Sequence, residues 1–155
     1  MPEYSEALHV LFSMDCLPPR APADIAGPES WTQARRNILR FADAVADAGM
    51  RATFFIVPES LSDLQDVAEK LQDRGMELGV LGHPQISGYK ASLGSYDYER
   101  QREIVRIMRT NWENRLGSSP TCFRPGFFSG NDYTFQILCV EGFHEASCSL
   151  PGMVD

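Results

Sequence analysis

The chain has 155 residues, with 21 acidic against 14 basic side chains and a net charge of −7. That length suits one domain with a core of its own. Its 43% hydrophobic and 23% charged residues are the balance of a globular chain, neither disordered nor membrane-spanning. The acidic balance argues against a nucleic-acid or anionic-membrane partner. No apolar run approaches the roughly 20 residues of a membrane span. Met1–Glu6 is acidic and polar and lacks the basic-then-apolar order of a secretory leader, so a cytoplasmic location is expected. Cys16, Cys122, Cys139 and Cys148 show no C-x-x-C spacing and are expected to be reduced and packed.

In chain order, Leu8–Met14 (LHVLFSM) is an apolar run suited to a buried strand. Cys16–Ser30 follows, a proline-rich stretch that reads as a long loop, because proline neither donates to a ladder nor continues a helix. Ala34, Ile38, Phe41, Val45 and Ala48 recur at helical spacing, and the second apolar run is Ala52–Val57 (ATFFIV). Leu61, Leu64, Ala68 and Leu71 mark a second helix, and Glu77–Leu81 a third strand. Ile104, Met108 and Trp112, with Ile107 beside them, mark a third helix, with Asp97 as its expected N-cap. Thr121–Phe123, a helix over 132–141 capped by Asn131, and Phe143–Cys148 complete the series. Ala48-Gly49-Met50, Arg74-Gly75-Met76 and Glu141-Gly142-Phe143 each end a helix just before an apolar run, with the glycine free to take the left-handed conformation that stops it. Alternation of this kind predicts an α/β fold with about five mainly parallel strands and four helices.

Four places at predicted strand ends hold candidate chemistry. Asp15 closes the first strand, where an acid must be paired, solvated or metal-bound. Its ordinary explanation is a loop cap. His83 follows the third strand in Leu81-Gly82-His83-Pro84-Gln85, where a neutral imidazole near a carboxylate makes half of a zinc site. A packed histidine explains it as simply. Arg124 follows the fourth strand in Phe123-Arg124-Pro125-Gly126-Phe127, its planar fork suited to a carboxylate or a substrate oxygen, or to an ordinary ion pair. Tyr89 and Tyr96, in a glycine-containing loop, and Phe127 are candidate substrate-stacking residues that ordinary packing explains equally well. His9 and His144 fall inside strand patterns and are expected to be structural.

In this order the motifs resemble the polysaccharide-deacetylase (NodB-type) family. Phe12-Ser13-Met14-Asp15 is similar to its F-D-x-D strand, ATFFIV to its second strand, Glu77-Leu78-Gly79 to its E-[IL]-G, and Phe123-Arg124-Pro125 to its F-R-x-P segment. The resemblance implies a partial (β/α) barrel and a metal-dependent hydrolase of amide, N-acetyl or ester bonds. Its divalent metal, zinc by expectation, would be held by Asp15 and His83, with Asp15 and Arg124 as catalytic residues. It also implies a small-molecule or carbohydrate substrate. Two departures matter. Ser13 stands where the family has its general base. Leu81 stands on a metal-ligand position if Leu81–Gln85 follows an H-x-H-P-Q pattern; an H-x-x-x-H pattern would put Leu81 and Gln85 on both ligand positions. The first alignment is preferred because His83-Pro84-Gln85 then matches intact. The site is therefore expected to be incomplete, and the alternative is a non-catalytic carbohydrate- or small-ligand-binding domain. At 155 residues the chain is also short of the roughly 250 of a closed eight-stranded barrel. A single domain, truncated at its C-terminal end, is expected to leave sheet edges open, with Phe143 partly exposed and an edge available for homo-oligomer pairing.

Overall fold

The structure is a computed structural model that describes residues 10–21 and 25–149. Among these, five strands alternate with four α-helices: β1 (Phe12–Cys16), α1 (Trp31–Asp47), β2 (Ala52–Ile56), α2 (Leu61–Asp73), β3 (Glu77–Gly82), α3 (Tyr98–Leu116), β4 (Cys122–Pro125), α4 (Asp132–Val140) and β5 (Glu145–Ala146). The strands form one sheet in the order β1-β2-β3-β4-β5, every neighbouring pair parallel. A strictly sequential order needs each helix to cross on the same side, since such crossovers share one hand. A doubly wound sheet would instead reverse its order at one point. The architecture is thus a stretch of barrel wall.

Burial divides the sheet into two faces. Phe54, Ile56, Leu78, Val80 and Phe123 form one cluster with Ile38, Leu64, Leu71, Ile104, Met108 and Ile137, so all four helices cover this side. The other side holds a small separate cluster of Phe55, Val57, Leu81 and Cys122. Ser13, Asp15, Glu77 and Arg124 alternate onto this second, inner face by the two-residue period of a strand. Gly79 sits between Phe55 and Cys122 on that face. A Cβ there would lie 2.8 Å from the Phe55 ring, so the missing side chain is what lets the ring lie down.

The helices begin and end as their sequences predict. Asp97 accepts from the Arg100 amide, and Asn131 with Thr134 forms a reciprocal capping box. Gly49, Gly75 and Gly142 stop α1, α2 and α4 with φ of 71°, 71° and 82°. Gln101, completely buried, ties the helix layer together. Its Nε2 donates to the Tyr96 carbonyl at 2.7 Å and to Asn131 Oδ1 at 3.2 Å, and its Oε1 accepts from Thr134 Oγ1 at 2.7 Å.

Several expectations need correction. β1 starts at Phe12 because β2 offers its first partner, Ala52, only there, and Val10 and Leu11 stand exposed ahead of it. Leu8 and His9, expected in that strand, lie outside the described residues, as do 22–24 of the proline-rich loop. Asp15 lies near the end of β1 as expected, and Cys16, expected to open the proline-rich loop, is the last strand residue. The fifth strand is only Glu145–Ala146, and exposed His144 precedes it. Phe143 is buried, its ring edge-on to Phe123 at 5.3 Å, since α4 folds back over it. Ile107 and Ala48 are exposed, while Ala42 and Val67 join the buried stripes. The four cysteines are unbridged; Cys139 is exposed, and the other three are buried. Burial pushes the Cys148 thiol up to about 11. No helix among the described residues is long and apolar enough to cross a membrane.

Candidate functional site

Arg124 leaves β4 and reaches across the inner face toward β1. Its Nη1 donates to Asp15 Oδ1 at 2.6 Å, its Nη2 to Ser13 Oγ at 2.9 Å, and its Nε to Ser147 Oγ at 3.2 Å. On the way its guanidinium lies over the Phe55 ring, 4.0 Å from the centroid, and 5.1 Å from that of Phe128. Planarity lets one group stack and donate from its edge at once. Three strands therefore contribute to one arrangement, with β2 supplying the floor.

His83 leaves the end of β3 and is buried beside this group. Its Nδ1 lies 3.2 Å from Gln85 Oε1, whose amide nitrogen donates in turn to Ser92 Oγ at 3.0 Å. Burial holds the imidazole below its ordinary pKa, outweighing the Gln85 hydrogen bond and the Asp15 carboxylate, which both favour the charged form. The ring is therefore neutral at pH 7. Gly126 packs flat against it, where a Cβ would come within 2.6 Å of Cδ2. Phe127 meets it edge-on at 4.8 Å. Phe127 and Phe128 both have positive φ, 58° and 53°, a costly conformation for aromatic residues. That turn sets Phe128 over Arg124 and leaves Phe127 about half exposed beside His83.

Asp15, His83, Arg124 and Phe127 thus come together at one end of the sheet. Tyr89 and Tyr96 stand elsewhere. They meet edge-on at 6.2 Å and pack on the helix-side core, with Arg100 over Tyr89 at 5.1 Å and the Tyr96 hydroxyl accepting from the Ala91 amide. Sequence reasoning placed Ser13 on the family's general-base position but foresaw neither it nor Phe128 as a partner of Arg124. Beside Asp15, a cleft of about 300 Å³ opens between β1 and α1, lined in part by Gln33 and Asn37.

A resident divalent ion does not fit the residues present. Asp15 is already engaged by a guanidinium, and Leu81 is buried in the apolar cluster. Among the described residues, no third His, Cys, Asp or Glu joins Asp15 and His83 at metal-holding spacing. Cys16, the nearest thiol in sequence, packs in the helix-side core and not on the inner face.

The polysaccharide deacetylase family model matches residues 26–145. The chain belongs to that family. Its fold is similar to a putative polysaccharide deacetylase from Mycobacterium smegmatis, with a TM-score of 0.67 and 19% identity over 89% of this chain and 50% of that one. It is similar too to a CE4-family pseudoenzyme from Bacillus anthracis, with a TM-score of 0.63 and 13% identity over 88% of this chain and 41% of the other. A family 4 carbohydrate esterase from Streptomyces lividans, in complex with acetate, aligns with a TM-score of 0.58 and 19% identity over 88% of this chain and 60% of its own. The deacetylase-family chain thus spans between about two fifths and three fifths of these structures. No curated protein matches it at a significant level.

Proposed function

We propose that this deacetylase-family domain binds an acylated carbohydrate or related small ligand without hydrolysing it. The observation that carries the reading is the Arg124–Asp15–Ser13 bridge. In a metal-dependent hydrolase the ion polarises the acyl oxygen and generates the nucleophilic water. Here the carboxylate expected to hold that ion is turned to a guanidinium, and Ser13 is a poor general base. What the chain's own residues offer is recognition. Asp15 and Ser13 hold the guanidinium still, Phe127 presents an exposed ring of the kind sugars stack on, and His83 offers a neutral imidazole.

The test is calorimetric titration with N-acetylated and O-acetylated oligosaccharides, run beside an assay for released acetate with and without zinc. Saturable binding weakened by Phe127→Ala, with no acetate release, is the expected result. Metal-dependent release abolished by Asp15→Asn would overturn it. A hydrolase is the second reading, favoured by the meeting of Asp15, His83 and Arg124 at one end of the sheet. On that reading the double substitution Ser13→Asp, Leu81→His raises both zinc affinity and acetate release.

A further inference from the structure

A second set of ligating side chains lies on the inner face at the opposite ends of the strands. Glu77, Cys122 and Glu145 are the first residues of β3, β4 and β5. Cys122 pairs with Glu145 in the parallel register, and Glu77 reaches in from the neighbouring strand. One ligand atom from each lies within 4.8 Å of the other two. Acidic side chains at strand starts are common, and proximity alone would carry nothing. The thiol is different. Cys122 is only 5% exposed and faces two carboxylates, and burial together with Glu77 and Glu145 pushes its thiol up to about 12, a repulsion that a cation between the three would relieve. Neither Glu77 nor Glu145 takes part in any ion pair among the described residues, and Arg124 on the same face is paired with Asp15. Thr53 Oγ1 donates to Glu77 Oε2, which fixes that carboxylate from outside as outer-shell groups do for metal ligands.

We propose that Glu77, Cys122 and Glu145 form a divalent-cation site of the zinc type, separate from the Asp15–His83 end. One thiolate and two carboxylates are within the repertoire of zinc, and three protein ligands leave a fourth position for water or a ligand atom. The harder ions, magnesium and calcium, are disfavoured because they seek oxygen ligands alone. On binding, the thiol proton passes to solvent as the sulfur–metal bond forms.

Cobalt(II) is the probe, because a cobalt–thiolate bond gives a charge-transfer absorption in the near ultraviolet. The whole chain is titrated with cobalt, then with zinc as competitor. Expected is one equivalent of cobalt with the thiolate band, displaced by zinc and absent in Cys122→Ser. Affinity should fall at least about tenfold in Glu77→Gln and in Glu145→Gln. Cys139→Ser, which alters the exposed thiol, and Asp15→Asn should leave the titration unchanged. A wild-type chain with no thiolate band overturns the proposal, as does a band that survives Cys122→Ser. So does an affinity indifferent to both Glu→Gln changes, which touch carboxylates not needed for the apolar core. The first and last of these outcomes hold whether or not Cys122→Ser folds.

Discussion

Phe54 and Phe55 are neighbours in β2, identical in chemistry and both buried, yet they serve opposite faces of the sheet. Phe54 is enclosed by the helix layer and meets Phe41 edge-on at 5.8 Å. Phe55 lies in the small inner cluster with a guanidinium laid on its ring. The helix face is apolar, dense and repetitive. The inner face is thinly apolar, and its guanidinium is held by Asp15, Ser13 and Ser147. The packing that stabilises the fold is concentrated on the first face and the candidate site on the second.

The largest effect that tests this contrast is Phe54→Ala, expected to cost about 5 kcal/mol, against about 3 kcal/mol for Phe55→Ala, the two ends of the range for a buried phenylalanine. Urea unfolding of both reads the difference, and equal costs would erase the distinction between the faces. Next in size is Asp15→Asn. Asp15 is more than a third exposed, so the loss of its ion pair is expected to cost about 1 kcal/mol of stability. On the binding function proposed above, the same change should also weaken oligosaccharide binding, which calorimetry detects.

A smaller effect is electrostatic. The folded-state pKa of His83 is lowered by burial, so the unfolded chain binds its proton more readily. Stability from this group is fully present above the unfolded value of about 6.5 and is lost as pH falls below it toward the folded value. Unfolding midpoints measured at about pH 7.5 and 5.5 should therefore fall with acid, and His83→Gln should flatten that slope. Smallest is Asp43→Asn, which breaks an exposed pair with Arg74 at 2.6 Å and should cost no more than about 0.5 kcal/mol. A larger cost would mean that α1 and α2 depend on surface charge as well as on their apolar stripe.

The helix face was largely legible in the sequence because its signals are local. Ile38 and Val45, Leu64 and Leu71, and Ile104 and Met108 recur with the helical period, and Gly49, Gly75 and Gly142 mark the stops. Asp15, His83 and Arg124 were legible as motif residues at strand ends, though not the bond between two of them. What stayed hidden depends on register. The first strand's start is set by Ala52 across the sheet, and Phe143 is buried by the return of α4. The trio of Glu77, Cys122 and Glu145 emerges only once three strands are aligned, since the residues are far apart in the chain and share no motif. Tyr89 and Tyr96 satisfied a loop pattern that a binding surface and a packed corner share equally.

The Arg124–Asp15 bond also has a place in time. It joins residues 109 apart in sequence, whereas each strand otherwise pairs only with the strands before and after it. Neighbouring strand–helix–strand units close short loops, which cost less entropy and form early. A bond from the first strand to the fourth must wait until β2 and β3 have filled the space between. A late-forming bond of this kind predicts that weakening it accelerates unfolding and leaves the folding rate unchanged, which stopped-flow kinetics of Asp15→Asn checks. On that prediction the guanidinium bridge is a latch closed at the end of folding.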